Sequence, residues 1–354
     1  MLKLAFAFFL TAFVLSAPDA QAGDRIGFKE ITAADASRPL HVVLWYPTND
    51  AGSLTTVGDN AVFYGVEAVK DAAPERDAHP LVLLSHGLGG SWRNLSWLAG
   101  ELAHQGYVVA APDHPGTTTR DRDPQKAARL WERPHDLSRV IDALLADPTL
   151  AGRIAANRIA AIGHSLGGWT VAESAGARFD ADLVVPDCEN RFGPIACKTW
   201  AKIGIGKSRD ATDALRGDLS DPRIGAAVTL DLGPARGFTP ASLANIRIPT
   251  LVIAAGADID KVTAEQGQIS ATNKDSRYIA QYLPKTISHY QEIAGSLHFS
   301  FMQLCKPNAA AIIAEESPGE GFVCEDDGTS DREAIHQETA DKIISFLAES
   351  LPKR

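Results

Sequence analysis

The chain has 354 residues, 45% of them hydrophobic and 22% charged, with a formal net charge of −10. That apolar share supports a large buried core and excludes wholesale disorder. The acidic balance, with no long run of one sign, argues against a phosphate-backbone partner and so against nucleic-acid binding.

The first residues read as an address rather than as structure. Lys3 gives a positive start, Leu4 to Leu15 an apolar run, and Ala20-Gln21-Ala22 a small-x-small cleavage site. The run is too short for an ordinary membrane span. Residues 1–22 are therefore expected to be a signal peptide, with the mature chain starting near Gly23 and no stable membrane insertion. The protein is expected to be periplasmic or secreted. In that oxidising setting two local disulfides are expected, Cys188 with Cys197 and Cys305 with Cys324. The cysteine spacing suggests neither zinc nor redox chemistry, and no metal is expected.

Leu40 to Tyr46 reads as an early strand, followed by a turn at Pro47-Thr48-Asn49-Asp50. Leu81 to Leu84 is wholly apolar, as a parallel strand buried on both faces is. Trp92 to Gln105 has helical spacing, and Tyr107 to Ala111 forms the next strand. Gln125 to Ala146 carries Leu137, Val140, Ile141 and Leu144 on one helical face. Arg158 to Ile162 then reads as a strand and Leu166 to Ala177 as a helix. Ile224 to Leu230, Thr250 to Ala255 and Thr286 to Ile293 supply later strands, and Glu333 to Leu351 a closing helix. Such alternation predicts a mostly parallel sheet with helices on both faces, in one α/β domain over 23–354. Residues 178–221 break the pattern and read as an insertion, either a cap over the site or a surface excursion.

Gly163-His164-Ser165-Leu166-Gly167 matches the Gly-x-Ser-x-Gly elbow, in which a sharp strand-to-helix turn lifts a serine hydroxyl above the sheet. Ile159 to Ile162 precedes it and an apolar helical run follows, which is the context the motif requires. Ser165 is thus the expected nucleophile. It needs a base and a pair of donors for the developing oxyanion. Leu166 N–H should be one donor, and Leu88 N–H, in Ser85-His86-Gly87-Leu88-Gly89-Gly90, the other.

This fold orders its triad Ser, acid, His. Among the late histidines, His289 falls inside a strand and His336 inside the last helix, which leaves His298, in the loop after the final strand. Asp258, after the strand Thr250 to Ala255, is the favoured acid. Asp231, at the end of the preceding strand, stays close behind it, and Asp260 is a weaker third. Asp113, His114 and Trp169 stand near elements that line such a pocket, with a structural role equally open to each.

With these motifs the chain resembles the platelet-activating-factor acetylhydrolase and dienelactone-hydrolase-like branch of the α/β-hydrolases. The likeness rests on Ser85-His86-Gly87-Leu88-Gly89, Asp113-His114-Pro115-Gly116, Gly163-His164-Ser165-Leu166-Gly167-Gly168 and Leu297-His298-Phe299, and covers most of the chain from Leu40 onward. It implies hydrolysis of small-molecule or lipid carboxyl esters through an acyl-enzyme, without metal or organic cofactor. The dienelactone enzymes use a cysteine where Ser165 stands, so their lactone activity does not transfer. The acetylhydrolases carry the acid after the sixth strand, which corresponds to Asp231. The leading expectation is a short-acyl esterase or lipase-like enzyme, with a polyester or lipid hydrolase as alternative and a peptidase ranked lower. A silent binding protein on the same fold is the reading from another class. The intact set of Ser165, His298 and a neighbouring acid argues against it.

Overall fold

The computed structural model describes residues 25–33, 38–184, 197, 201, 203–205, 208–257, 273–326 and 331–352. The expected signal peptide, Cys188, Asp258 and Asp260 lie outside the described residues. The strands are β1 (Ile26–Ala33), β2 (Leu40–Pro47), β3 (Leu54–Val57), β4 (Val66–Lys70) and β5 (Ala78–Ser85). They continue with β6 (Val108–Pro112), β7 (Arg153–His164), β8 (Ile224–Leu230), β9 (Thr250–Gly256) and β10 (Ser288–Ala294). All ten form one sheet in the order β10-β9-β8-β7-β5-β6-β2-β1-β4-β3. From β10 to β6 each pair is parallel, whereas β2 meets β6 antiparallel and β1 meets β2 antiparallel.

Alternation along the central strands builds two cores. Val82 and Leu84 of β5 face one side with Trp45, while Leu81 and Leu83 face the other with Leu44. Helix α1 (Ser96–His104) covers the first side through Leu98 and Leu102. On the other side lies α3 (Glu132–Ala146), preceded by the short α2 (Pro124–Ala127) and followed by α4 (Leu166–Ser174). Leu137, Val140, Ile141 and Leu144 of α3 enter that second core, as their spacing predicts. Among the described residues four further helices follow, α5 (Arg209–Arg216), α6 (Pro240–Ala244), α7 (Asn273–Tyr282) and α8 (Ala309–Glu316). The chain's last helix, α9 (Arg332–Ser350), packs beside α1 through Ile335, Ile343 and Leu347.

The expected strand Ile224 to Leu230 appears with those bounds. The stretch from Trp92 divides into a 3₁₀ turn at Trp92–Leu95 and α1, and that from Gln125 into α2 and α3. In the insertion, Phe179, Val184, Ile203, Ile205 and Leu215 pack with Trp169 of α4. Cys305 and Cys324 are joined by a disulfide as expected. Cys197 is also disulfide-bonded. No helix among the described residues is long and apolar enough to cross a membrane.

Trp45 tests this packing, since it is fully buried with its ring 5.6 Å from those of both Phe28 and Trp92. Trp45→Ala should lower the unfolding free energy by about 3–5 kcal/mol in urea titration. A loss below about 1 kcal/mol would contradict the cluster, because a cavity that large rarely collapses without cost.

Candidate active site

The parallel strands β5, β7, β8 and β10 end on one edge of the sheet, where such folds hold their ligands. Between β7 and α4 the chain turns through Ser165 at φ 57°, ψ −123°, a left-handed backbone rare for a residue with a side chain. The flanking glycines make that turn sterically feasible. A Cβ on Gly167 would lie 1.8 Å from the Ser85 carbonyl oxygen, and one on Gly163 2.1 Å from that of Gly167. Ser165 keeps partial exposure at the turn, while Leu166 opens α4.

His298 begins a 3₁₀ turn (His298–Phe301) after β10. Its Nε2 is 3.0 Å from Ser165 Oγ and its Nδ1 is 2.6 Å from Asp231 Oδ2. A carboxylate opposite Nδ1 keeps the proton there and leaves Nε2 to accept from the serine hydroxyl. Asp231 directly follows β8 at φ 40°, and its Oδ1 accepts from the Ala255 amide at 3.1 Å. Of the three acids weighed from sequence, Asp231 is the one described at His298, and Asp258 and Asp260 are outside the described residues.

Four side chains grip the His298 turn through buried polar contacts. His164 Nε2 lies 2.8 Å from the His298 carbonyl oxygen, and a carbonyl partner makes that nitrogen the donor. Trp97 Nε1 donates to the Phe301 carbonyl at 2.9 Å. His336 stacks on Trp97 with centroids 3.8 Å apart and places Nε2 2.9 Å from the Met302 carbonyl. Ser300 Oγ accepts from the Leu297 amide at 2.9 Å and donates to Asp326, in the segment just past the disulfide. Burial and the neighbouring His298 hold His164 well below its usual range, and burial together with Arg332 pushes His336 down to about 3.

The expected donor loop runs beside the serine. A Cβ on Gly87 would sit 3.5 Å from Ser165 Oγ, and Leu88 follows, closed into a turn by Gly90 N–H donating to the Gly87 carbonyl at 3.2 Å. Behind the loop lies a buried polar web. His86 donates from Nδ1 to the Gly87 carbonyl at 2.7 Å and accepts at Nε2 from the His114 amide at 3.0 Å. His114 Nε2 is 2.9 Å from Ser85 Oγ, and its Nδ1 is 3.0 Å from Asp136 Oδ2. Asp136 also binds Arg38 at 2.8 and 2.9 Å; against a burial penalty, His114 and Arg38 hold it well below the usual carboxylate range. Burial and Arg133 push His86 down to about 3 and His114 to about 4, so both rings are neutral.

Of the three flagged neighbours, His114 and Trp169 are fully buried and structural in placement, whereas Asp113 receives the Trp92 amide at 2.8 Å and His41 Nδ1 at 3.0 Å. Sequence reasoning assigned no role to His164, Arg133 or Asp136. A signal existed for Arg133, which falls four residues before Leu137 on the apolar stripe of α3, a place for a buried charge with partners.

A family model described as Alpha/beta hydrolase family matches residues 81–304. Cutinase est2 of Thermobifida alba is 32% identical over 114 residues, covering 32% of this chain and 35% of that protein. Cutinase 2 of Thermobifida cellulosilytica is 30% identical over 229 residues, covering 64% of this chain and 63% of that one. The chain thus spans between 35% and 63% of the length of these two relatives. Among solved structures, a ferulic acid esterase from Streptomyces cinnamoneus superposes with a TM-score of 0.61 at 21% identity, covering 96% of this chain and 92% of that one. At that identity the likeness concerns the fold.

The neutral state of His336 gives a pH test. Its folded pKa of about 3 lies below the unfolded value, so the unfolded chain takes up a proton that the fold refuses. Its contribution to stability is complete above about 6.5 and is lost as pH falls from there. Glu173 and Asp275, raised by burial, act in the opposite sense and lose stability as pH rises. A comparison with a variant isolates the histidine. The stability gap between wild type and His336→Gln should be flat above pH 7 and shrink by about 1.4 kcal/mol per unit well below 6.5. A gap constant down to pH 4.5 would contradict the neutral ring.

Proposed function

The chain belongs to the alpha/beta hydrolase family, and on that premise we propose that it is an exported serine hydrolase cleaving carboxyl esters through an acyl-enzyme. One observation carries the reading: a hydroxyl, an imidazole and a carboxylate in sequence, Ser165 Oγ to His298 Nε2 at 3.0 Å and His298 Nδ1 to Asp231 Oδ2 at 2.6 Å. His298 Nε2 takes the Ser165 proton as Oγ attacks the ester carbonyl, and Asp231 stabilises the imidazolium that results. The Leu166 and Leu88 amides receive the oxyanion. As the tetrahedral intermediate collapses, His298 protonates the departing alcohol. It then draws a proton from water, which releases the acid and restores Ser165.

The position of Asp231 after β8, the sixth strand once the added β3 and β4 are set aside, supports the likeness to the acetylhydrolase branch. The leader-like residues 1–22 and the Cys305–Cys324 disulfide support export to the periplasm or beyond. Small-molecule or short-acyl esters are the substrate class. A polyester or lipid hydrolase is the second reading, which the relatives named cutinases favour.

Hydrolysis of p-nitrophenyl esters from acetate to palmitate separates these readings. Wild type should turn over the short members, and Ser165→Ala should leave only background. An optimum at long chains would favour the lipid reading, and equal inertness of both proteins would count against catalysis altogether. Among acids, Asp231→Asn should lower kcat by about 10⁴-fold, because the amide favours the wrong tautomer of His298. A loss of that size at Asp258→Asn instead would move the acid to the next strand.

A further inference from the structure

We propose that Arg133 is a positioning residue for the oxyanion hole, fixing both of its donor segments from behind with one guanidinium. This rests on the serine-hydrolase reading above. Arg133 lies in the first turn of α3 and is 1% exposed. Its Nε donates to Thr170 Oγ1 at 2.8 Å, one terminal nitrogen to Thr117 Oγ1 at 2.6 Å, and the other to Ser85 Oγ at 3.2 Å and to the His86 carbonyl.

Each acceptor leads to a donor of the site. The His86 carbonyl stands immediately before Gly87-Leu88. The Thr117 carbonyl accepts the Gly89 amide at 2.9 Å, so Leu88 is bracketed on both sides. Thr170 Oγ1 in turn donates a hydrogen bond to the Leu166 carbonyl at 2.9 Å, which ties in the residue that opens α4. A planar fork of N–H groups can satisfy oxygens in three directions at once, which an ammonium on a flexible stem does less well.

The charge matters as well as the fork. The four oxygens that bind Arg133 are neutral, and Asp136, the carboxylate acting on it, is itself shared with His114, Arg38 and Arg139. Burial pushes Arg133 down to about 9, which still leaves it cationic at neutral pH. A fixed positive charge behind the amides stabilises an oxyanion more than a neutral ester, because it needs no reorganisation when charge develops.

The test uses Arg133→Lys and Arg133→Met in the full chain, with thermal unfolding as the check on folding. Folded Arg133→Met should lose about 10²–10³ in kcat for p-nitrophenyl acetate, the usual scale for a missing oxyanion donor, with KM nearly unchanged. Inhibition by an alkylboronic acid, whose serine adduct is tetrahedral, should weaken in step with kcat. Binding of the product carboxylate should not. Arg133→Lys, which keeps the charge and most of the volume, should recover part of the kcat loss and part of the boronate affinity. A folded variant of either kind with kcat and boronate inhibition within about threefold of wild type would overturn the proposal, since that is below the effect of one lost donor. Parallel loss of kcat, KM and product binding would overturn it too, as the mark of general damage. A wild type inert to a fluorophosphonate would instead remove the serine-hydrolase reading beneath it.

Discussion

The edge of the sheet that carries the site depends on one backbone conformation, Ser165 at φ 57°, ψ −123°. A residue held there costs of order 1–3 kcal/mol and persists only when its surroundings over-determine it. Its amide donates to the Leu230 carbonyl at 3.0 Å, and its carbonyl accepts from Trp169 at 3.2 Å and Gly233 at 3.3 Å. The strained residue is thereby joined to its own helix and to the end of β8. Asp231 is the next residue after Leu230 and also stands at positive φ. The same hydrogen bond that seats the serine therefore fixes where the carboxylate begins, and the imidazole spans the gap between them.

Ser85, His114 and Asp136 repeat the bonding order of Ser165, His298 and Asp231, hydroxyl to Nε2 and Nδ1 to carboxylate. What separates the two sets is exposure and company. Ser85, His114 and Asp136 are fully buried, and the Ser85 oxygen already accepts from Arg133. No ester can approach, and a proton moved onto His114 would place a second cation beside a buried guanidinium. The inner set is a brace. The outer set keeps Ser165 partly open to solvent, so the same atoms can serve a reaction.

Legibility followed the strength of the local signal. β5 and β8 are buried along nearly all their length and β7 over its second half, Ile159 to His164, and their apolar runs stood out in the sequence for that reason. β1, β3 and β4 went unread: β3 exposes Leu54, Thr55 and Thr56, and β1 buries Ile26 to Phe28 and Ala33 but exposes Glu30 and Thr32 between them. The meeting of Ser165 with His298 could be expected because an elbow motif and chain order single out both residues. Which carboxylate meets Nδ1 could not, since Asp231 and Asp258 each follow a strand and only the spatial order of strands brings Asp231 there. His164 was hidden in plain view inside the elbow, because its partner, the His298 carbonyl, lies 134 residues away.

The distribution of buried polar side chains follows from how each member of the constellation is anchored. Ser165 and Asp231 continue β7 and β8, which are paired on both sides by backbone hydrogen bonds. Their positions need little further support. His298 comes four residues after the end of β10, an edge strand, and two residues past the last backbone tie to the β9 end, the Ala257 amide on the Ser296 carbonyl at 3.0 Å. An imidazole that must meet both a hydroxyl and a carboxylate tolerates little drift. The missing ladder is replaced by side chains, Trp97 from α1, His164 from β7, His336 from α9 and Ser300 from the turn itself. The Leu88 loop leaves β5, a strand paired on both sides, and is tied to the Thr117 segment by the Gly89 amide, with His86 and Arg133 adding side-chain holds on the Gly87 and His86 carbonyls. Buried histidines and an arginine thus gather where regular backbone pairing stops and fixed geometry is still required.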